Sequence, residues 1–157
     1  MYLIDTNIHA AYLLQNFEDD DLTGRYLSFF NTIPLSDRLI PDFIIGELET
    51  FIIRVVPSRY GLNSEDKQEL KQLTFDYIER ITTGCTVVVP DVEVVQHAKK
   101  IYLANSKARY ISFVDSLLIA FAARHNHFLY TKDERLSYVA KQYNVMLPNK
   151  DKNLLCI

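Results

Sequence analysis

The sequence predicts an α/β fold, a three-layer α/β/α sandwich around a mainly parallel central sheet of about five strands. Three observations carry this. Short apolar runs alternate with helical repeats along the chain. The run Thr86-Val87-Val88-Val89 is β-branched throughout, the composition that suits a central parallel strand. Finally, two apolar runs lead straight into a turn holding a carboxylate, Met1 to Ile4 into Asp5-Thr6-Asn7 and Phe128 to Tyr130 into Thr131-Lys132-Asp133.

The elements follow in order. After the first strand, Ile8, Ala11 and Tyr12 open a helix that gives out near the acidic run Glu18-Asp19-Asp20-Asp21, and Leu22, Tyr26, Phe29 and Phe30 mark a second helix. Leu39-Ile40 is a short strand stopped by Pro41. The helix after it carries Ile44, Leu48, Phe51, Ile52 and Val55 on one stripe. Pro57 to Gly61 reads as a loop. Ser64 caps a helix in which Leu70, Leu73, Tyr77 and Ile81 recur at helical spacing, with Gly84 as its stop. The Thr86 strand ends at Pro90. Helices over about 91–105 and 112–124, the strand at 128–131, a helix through Leu136, Val139, Ala140 and Tyr143, and a short Val145-Met146-Leu147 strand complete the order.

A chain of 157 residues, 48% of them hydrophobic, is long enough for one good core and reads as a single domain over residues 1–157. At this size folding buries roughly 68–70% of the unfolded surface. A net charge of -3 offers no general attraction for a polyanion, so such a substrate needs a local basic patch or bound cations. Cys85 and Cys156 lie far apart without metal-ligand spacing, which suits a reduced, cytoplasmic protein. The most apolar stretch, Leu117 to Ala123, is far too short to span a bilayer, and no membrane role is expected.

The acids divide into structural and chemical candidates. Asp5 reads as an N-cap when taken singly, and Asp133 as a first-turn acid with Thr131 and Glu134 in a capping box. Asp115 sits in a helix that is apolar almost all round, where an ionised carboxylate costs several kcal/mol unless it is paired, hydrogen-bonded or metal-bound. Its structural alternative is a capping box with Ser112. Glu47 and Glu49 flank the apolar stripe of their helix, with Glu49 expected as the more solvated.

The set weighs more than its members. Asp5, Glu47, Asp115 and Asp133 each follow a strand or open a helix, the edge at which a parallel sheet builds its site. Two carboxylates 4 Å apart repel by about 4 kcal/mol at an effective dielectric near 20, so four in one pocket require compensation. Oxygen ligands select a hard divalent ion such as Mg2+ or Mn2+, which can activate a water and clamp a phosphodiester.

These segments, Tyr2-Leu3-Ile4-Asp5-Thr6-Asn7, Ile40 to Glu47, Asp115 to Ala120 and Tyr130-Thr131-Lys132-Asp133, resemble in order the four acidic motifs of PIN-domain ribonucleases. The chain looks most like a VapC-type toxin of a toxin-antitoxin pair. The resemblance implies Mg2+-dependent endonucleolytic cleavage of RNA, with Mn2+ able to substitute, a cognate antitoxin, and a homodimer. It also implies that Asp5, Glu47, Asp115 and Asp133 are the catalytic metal ligands, with Thr6, Asn7 and Thr131 shaping the site. Many relatives carry a further acid and then Phe where this chain has Arg135-Leu136, which points to a one-metal resting state.

Further basic residues are candidate RNA contacts: Lys107 and Arg109, with Lys99, Lys100 and Tyr110 nearby, and Arg135. Arg54 and Arg59 could meet RNA or an antitoxin. His125 and His127 fit no zinc pattern, and capping accounts for Asp42 and Asp91. Two rivals stay open. One is a haloacid-dehalogenase-like phosphatase with Asp5 as nucleophile, although Asn7 stands where its general acid belongs. The other is a catalytically silent PIN fold that binds RNA or protein.

Overall fold

A computed structural model describes residues 1–15, 21–105 and 111–148. The order is β1 (Tyr2–Ile4), α1 (Thr6–Leu13), α2 (Asp21–Thr32), β2 (Arg38–Pro41), α3 (Asp42–Thr50), α4 (Val56–Tyr60), α5 (Ser64–Gly84), β3 (Thr86–Val88), α6 (Val92–Asn105), α7 (Phe113–His125), β4 (Phe128–Tyr130) and α8 (Glu134–Gln142). The four strands form one parallel sheet in the order β3-β2-β1-β4, with Leu3 paired to Leu39 on one side and Leu129 on the other. Each parallel neighbour needs a crossover, and the helices supply it.

The core lies on both faces of the sheet. Leu3, Leu39 and Leu129, in register and so on one face, belong to a cluster with Ile44, Leu48, Ile52, Leu118 and Val139, which Ile40 joins from the opposite side of β2. On the other, Ile4, Ile8, Tyr26, Phe29, Phe30 and Tyr130 form an aromatic cluster. Helix α7 is buried along Ser116 to Ala122, as its all-round apolarity predicts.

Four expectations are corrected. The fifth strand at 145–147 is a single bridge of Met146 to Phe128. Strand β3 is an edge strand rather than a central one, and Val87 and Val89 are exposed. Asn63, rather than Ser64, caps α5, in a capping box with Asp66. The Pro57–Gly61 loop is instead the short helix α4, with Pro57 in its first turn, where its missing N–H costs nothing, and Gly61 as the left-handed C-cap at φ 61°. The turn before it, Phe51–Val55, is π-helical, with Val56 N–H bonded to the Phe51 carbonyl. An α-helical turn here would press the Pro57 ring against the carbonyl four residues back, and the wider turn avoids this.

Among the described residues no helix is long and apolar enough to cross a membrane. Cys85 is a free thiol, half-buried. Cys156 lies outside the described residues, as do Glu18 to Asp20 of the acidic run.

Candidate active site

Sheet order sets the site. Because β1 lies between β2 and β4, the residues leaving the three strands at their carboxyl ends emerge side by side. Asp5 follows β1 and Thr131 follows β4, and Asp5 N–H donates to the Tyr130 carbonyl at 3.0 Å, locking the two exits together. Strand β2 runs into α3, which carries Glu47 on its second turn. Helix α7 brings Asp115 in its first turn. All four acids line one cleft of about 240 Å³, with Thr6, Asn7 and Lys132.

A hydrogen-bond relay centres on Asp5. Its Oδ2 accepts from the Thr131 hydroxyl at 2.6 Å and from the Asn7 amide at 2.5 Å. Thr131 Oγ1 also accepts from Asn7 Nδ2 at 2.9 Å and from Asp133 N–H at 3.0 Å. The Asn7 carbonyl takes Lys132 N–H at 3.1 Å, and the Thr6 hydroxyl donates to Glu47 Oε2. Asp5 sits at the N-cap of α1, yet its side chain makes no capping bond. The capping explanation therefore fails for Asp5, whose carboxylate is turned into the relay.

Asp115 and Asp133 serve twice. Asp115 completes the capping box with Ser112, its Oδ2 accepting Ser112 N–H at 2.7 Å, and still lines the cleft. Asp133 is itself the N-cap of α8, accepting from Arg135 and Leu136 N–H, so the expected Thr131–Glu134 box is absent. Glu49, expected as the more solvated glutamate, is half-buried, and its carboxylate takes the Thr50 hydroxyl at 3.4 Å. Glu47 is the more exposed of the two because the cleft is open where it stands.

Electrostatics single out Asp5. Burial pushes its carboxyl up to about 7; the Thr131 hydrogen bond opposes that rise, and the charges of Asp115 and Glu47 add to it. Burial likewise raises Asp115, with its bonds to Ser112 pulling back and Asp133 adding repulsion. A cation beside these groups would favour their ionised forms.

The residues fit a hard cation, in an open arrangement. Every donor is an oxygen. Among the described residues no three acidic, His or Cys side chains stand together as a ready-made cage. Mg2+ keeps several waters and is commonly held by one or two carboxylates together with substrate phosphates, so an open acidic cleft suits it. Asp5, Glu47, Asp115 and Asp133 are the residues that would hold it, in part through water.

Arg135 is exposed in the first turn of α8 and does not line the cleft, while Lys107, Arg109 and Tyr110 lie outside the described residues. His125 and His127 stack on each other, rings 5.9 Å apart. Asp42 and Asp91 bond the N–H groups of Phe43 and Val94, and Asp91 also pairs with Arg124. Sequence reasoning passed over Lys132 and Phe51 as site residues, although both line the cleft. Adjacency to Asp133 was the available signal for Lys132; for Phe51 it was the i, i+4 spacing from Glu47.

Comparison with known proteins agrees with this architecture. No curated protein matched. Among solved structures, FitAcB from Neisseria gonorrhoeae superposes with a TM-score of 0.70 at 20% identity, over 96% of this chain and 98% of that one. VapC20 of Mycobacterium tuberculosis, described as a sarcin-ricin loop cleaving toxin, gives 0.63 at 18% identity over 88% and 94%. VapBC-1 from nontypeable Haemophilus influenzae gives 0.61 at 18% over 96% and 98%. At such identities the likeness is one of fold. The PIN domain family model matches residues 2–142, and with the parallel sheet and the acidic cleft at its carboxyl edge the chain belongs to the PIN domain family.

Proposed function

We propose that this protein is a Mg2+- or Mn2+-dependent endoribonuclease, the toxin of a type II toxin-antitoxin pair, held in check in the cytoplasm by a small antitoxin and acting as a homodimer. The observation that carries the reading is the meeting of Asp5, Glu47, Asp115 and Asp133 in one cleft. The naming of two similar folds as a toxin and as a toxin-antitoxin complex supports the partner class.

In this reading the bound cation supplies a lowered pKa for a water and charge neutralisation at a phosphodiester. The chain's own residues prepare the site. Thr131 and Asn7 fix the rotamer of Asp5 through its Oδ2, and Thr6 fixes Glu47. The N-termini of α7 and α8 hold Asp115 and Asp133 rigidly through capping bonds. Lys132 adds positive charge at the cleft for a substrate phosphate. The phosphatase alternative needs a general acid at residue 7, and there the Asn7 amide is engaged with Asp5, Thr131 and Lys132.

The direct test is incubation with single-stranded RNA and with a small phosphomonoester. Internal cuts in Mn2+, none in EDTA, and no release of inorganic phosphate are expected. Full cutting in EDTA would remove the mechanism, and phosphate release would favour the phosphatase.

Thr131→Val probes the support around the acids. It removes a donor to Asp5 and an acceptor for Asp133 N–H. Apparent Mn2+ affinity, read by calorimetric titration, should fall about 10- to 100-fold. Urea unfolding should show a loss of about 1–3 kcal/mol. Unchanged Mn2+ binding would mean that the relay does not serve the metal.

A further inference from the structure

The cleft has two chemical ends. Beyond the acids its lining changes to Ala10 and Ala11 of α1, Leu14 just past its end, and Phe51 at the start of the π-helical turn. Glu47 and Phe51 are four residues apart and so share a face, as do Asn7 and Ala11 along the facing helix. An apolar slot therefore continues the acidic site between α1 and α3. Ala10 and Ala11 give it small side chains on the α1 side. Its wall is an aromatic ring that is only half-buried, although phenylalanine usually closes fully into a core. At about 240 Å³ in all, the cleft is smaller than the roughly 300–1,000 Å³ of sites for drug-sized ligands, which fits a phosphate with one neighbouring planar group.

We infer that Phe51 is a stacking platform for an unpaired nucleobase next to the phosphate held at the acids. This rests on the nuclease reading and adds to it a substrate-positioning residue. A base that is paired within a helix cannot present its face to such a ring, whereas splayed bases commonly stack on aromatic side chains. The slot reads no hydrogen-bonding edge, because its lining residues carry no polar side chain, so it selects for an unpaired base without selecting which base.

The test uses the full chain in Mg2+ with a single-stranded RNA oligomer carrying 2-aminopurine, whose emission is quenched by stacking. The wild-type protein should quench the probe and cut the RNA. Phe51→Leu, which keeps the apolar packing, should fold with an unchanged circular dichroism spectrum, lose the quenching, and cut with kcat/KM lowered by about tenfold, mainly through KM. Phe51→Trp should restore both. An abasic nucleotide at the cleavage site should lower the wild type to the level of Phe51→Leu and leave that variant unchanged. Cutting without quenching overturns the platform and leaves the slot to an apolar protein side chain. Quenching without cutting keeps the platform and overturns the nuclease reading instead.

Discussion

Asp5→Asn is expected to abolish Mn2+-supported RNA cleavage, a loss of at least about a thousandfold, and at the same time to make the metal-free protein more stable at pH 8. Both effects have one origin. Asp5 is 6% exposed, and its carboxyl is raised to about 7 chiefly by burial. At pH 8 the free protein therefore ionises a group that the unfolded chain ionises far more easily, at a cost of about 4 kcal/mol. Asparagine keeps an oxygen to accept from Thr131 and Asn7 and sheds that charge. Activity read on RNA and stability read by urea unfolding should move in opposite directions. Loss of both together would mean that Asp5 is structural, and retention of activity would remove it from the chemistry.

His9 should give the second large effect, on the acid side. It is fully buried on α1, its Nδ1 lies 2.7 Å from the Tyr77 hydroxyl, and among the described residues its Nε2 has no hydrogen-bond partner. Burial, with the Arg38 guanidinium adding repulsion, pushes it down to about 3. The sign follows from linkage. Between about 6.5 and 3 the unfolded chain binds a proton that the fold refuses, so His9 removes stability as pH falls through that window. Asp5 acts the other way, its stabilising contribution being lost as pH rises from about 4 to 7. In the metal-free protein the two slopes oppose each other, and stability should vary little between pH 4.5 and 6.5. His9→Gln should remove one slope, so that the variant gains stability on acidification. Saturating Mn2+, by keeping Asp5 ionised, should remove the other and make the wild type acid-labile. Urea midpoints across that range check both, and a His9→Gln profile parallel to wild type would refute the account.

The site was more legible in sequence than its supports. Aspartates placed directly after apolar runs mark the exits of parallel strands, so Asp5 and Asp133 could be located from neighbours one or two residues away. Asn7 and Thr131 were expected to shape the site, but which acid each one bonds was not legible. Thr131 reaches Asp5 only because β1 and β4 are adjacent, and adjacency is a property of the whole sheet. The same limit explains β3: a run of valines states that a strand is apolar, and says nothing of whether a further strand lies beside it. Local competition accounts for the rest. Asn63 and Ser64 are both good caps, and the choice between them falls to Asp66, which completes the box only with Asn63. Pro57 signals a break equally well whether the chain turns away or, as here, absorbs it in one π-helical turn.

The two borders of the sheet are unequal. Beyond β4, the Met146 carbonyl accepts Leu129 N–H at 2.9 Å and closes that side. The other border, β3, ends in a short ribbon of valines, with Val89 70% exposed. A long, flat border of this kind would recruit strands from other molecules and seed fibrous aggregates. Here the strand is three residues long and Pro90, lacking an N–H, stands two residues beyond it. Brevity and one imino acid thus guard the solubility of a molecule whose remaining border is already occupied.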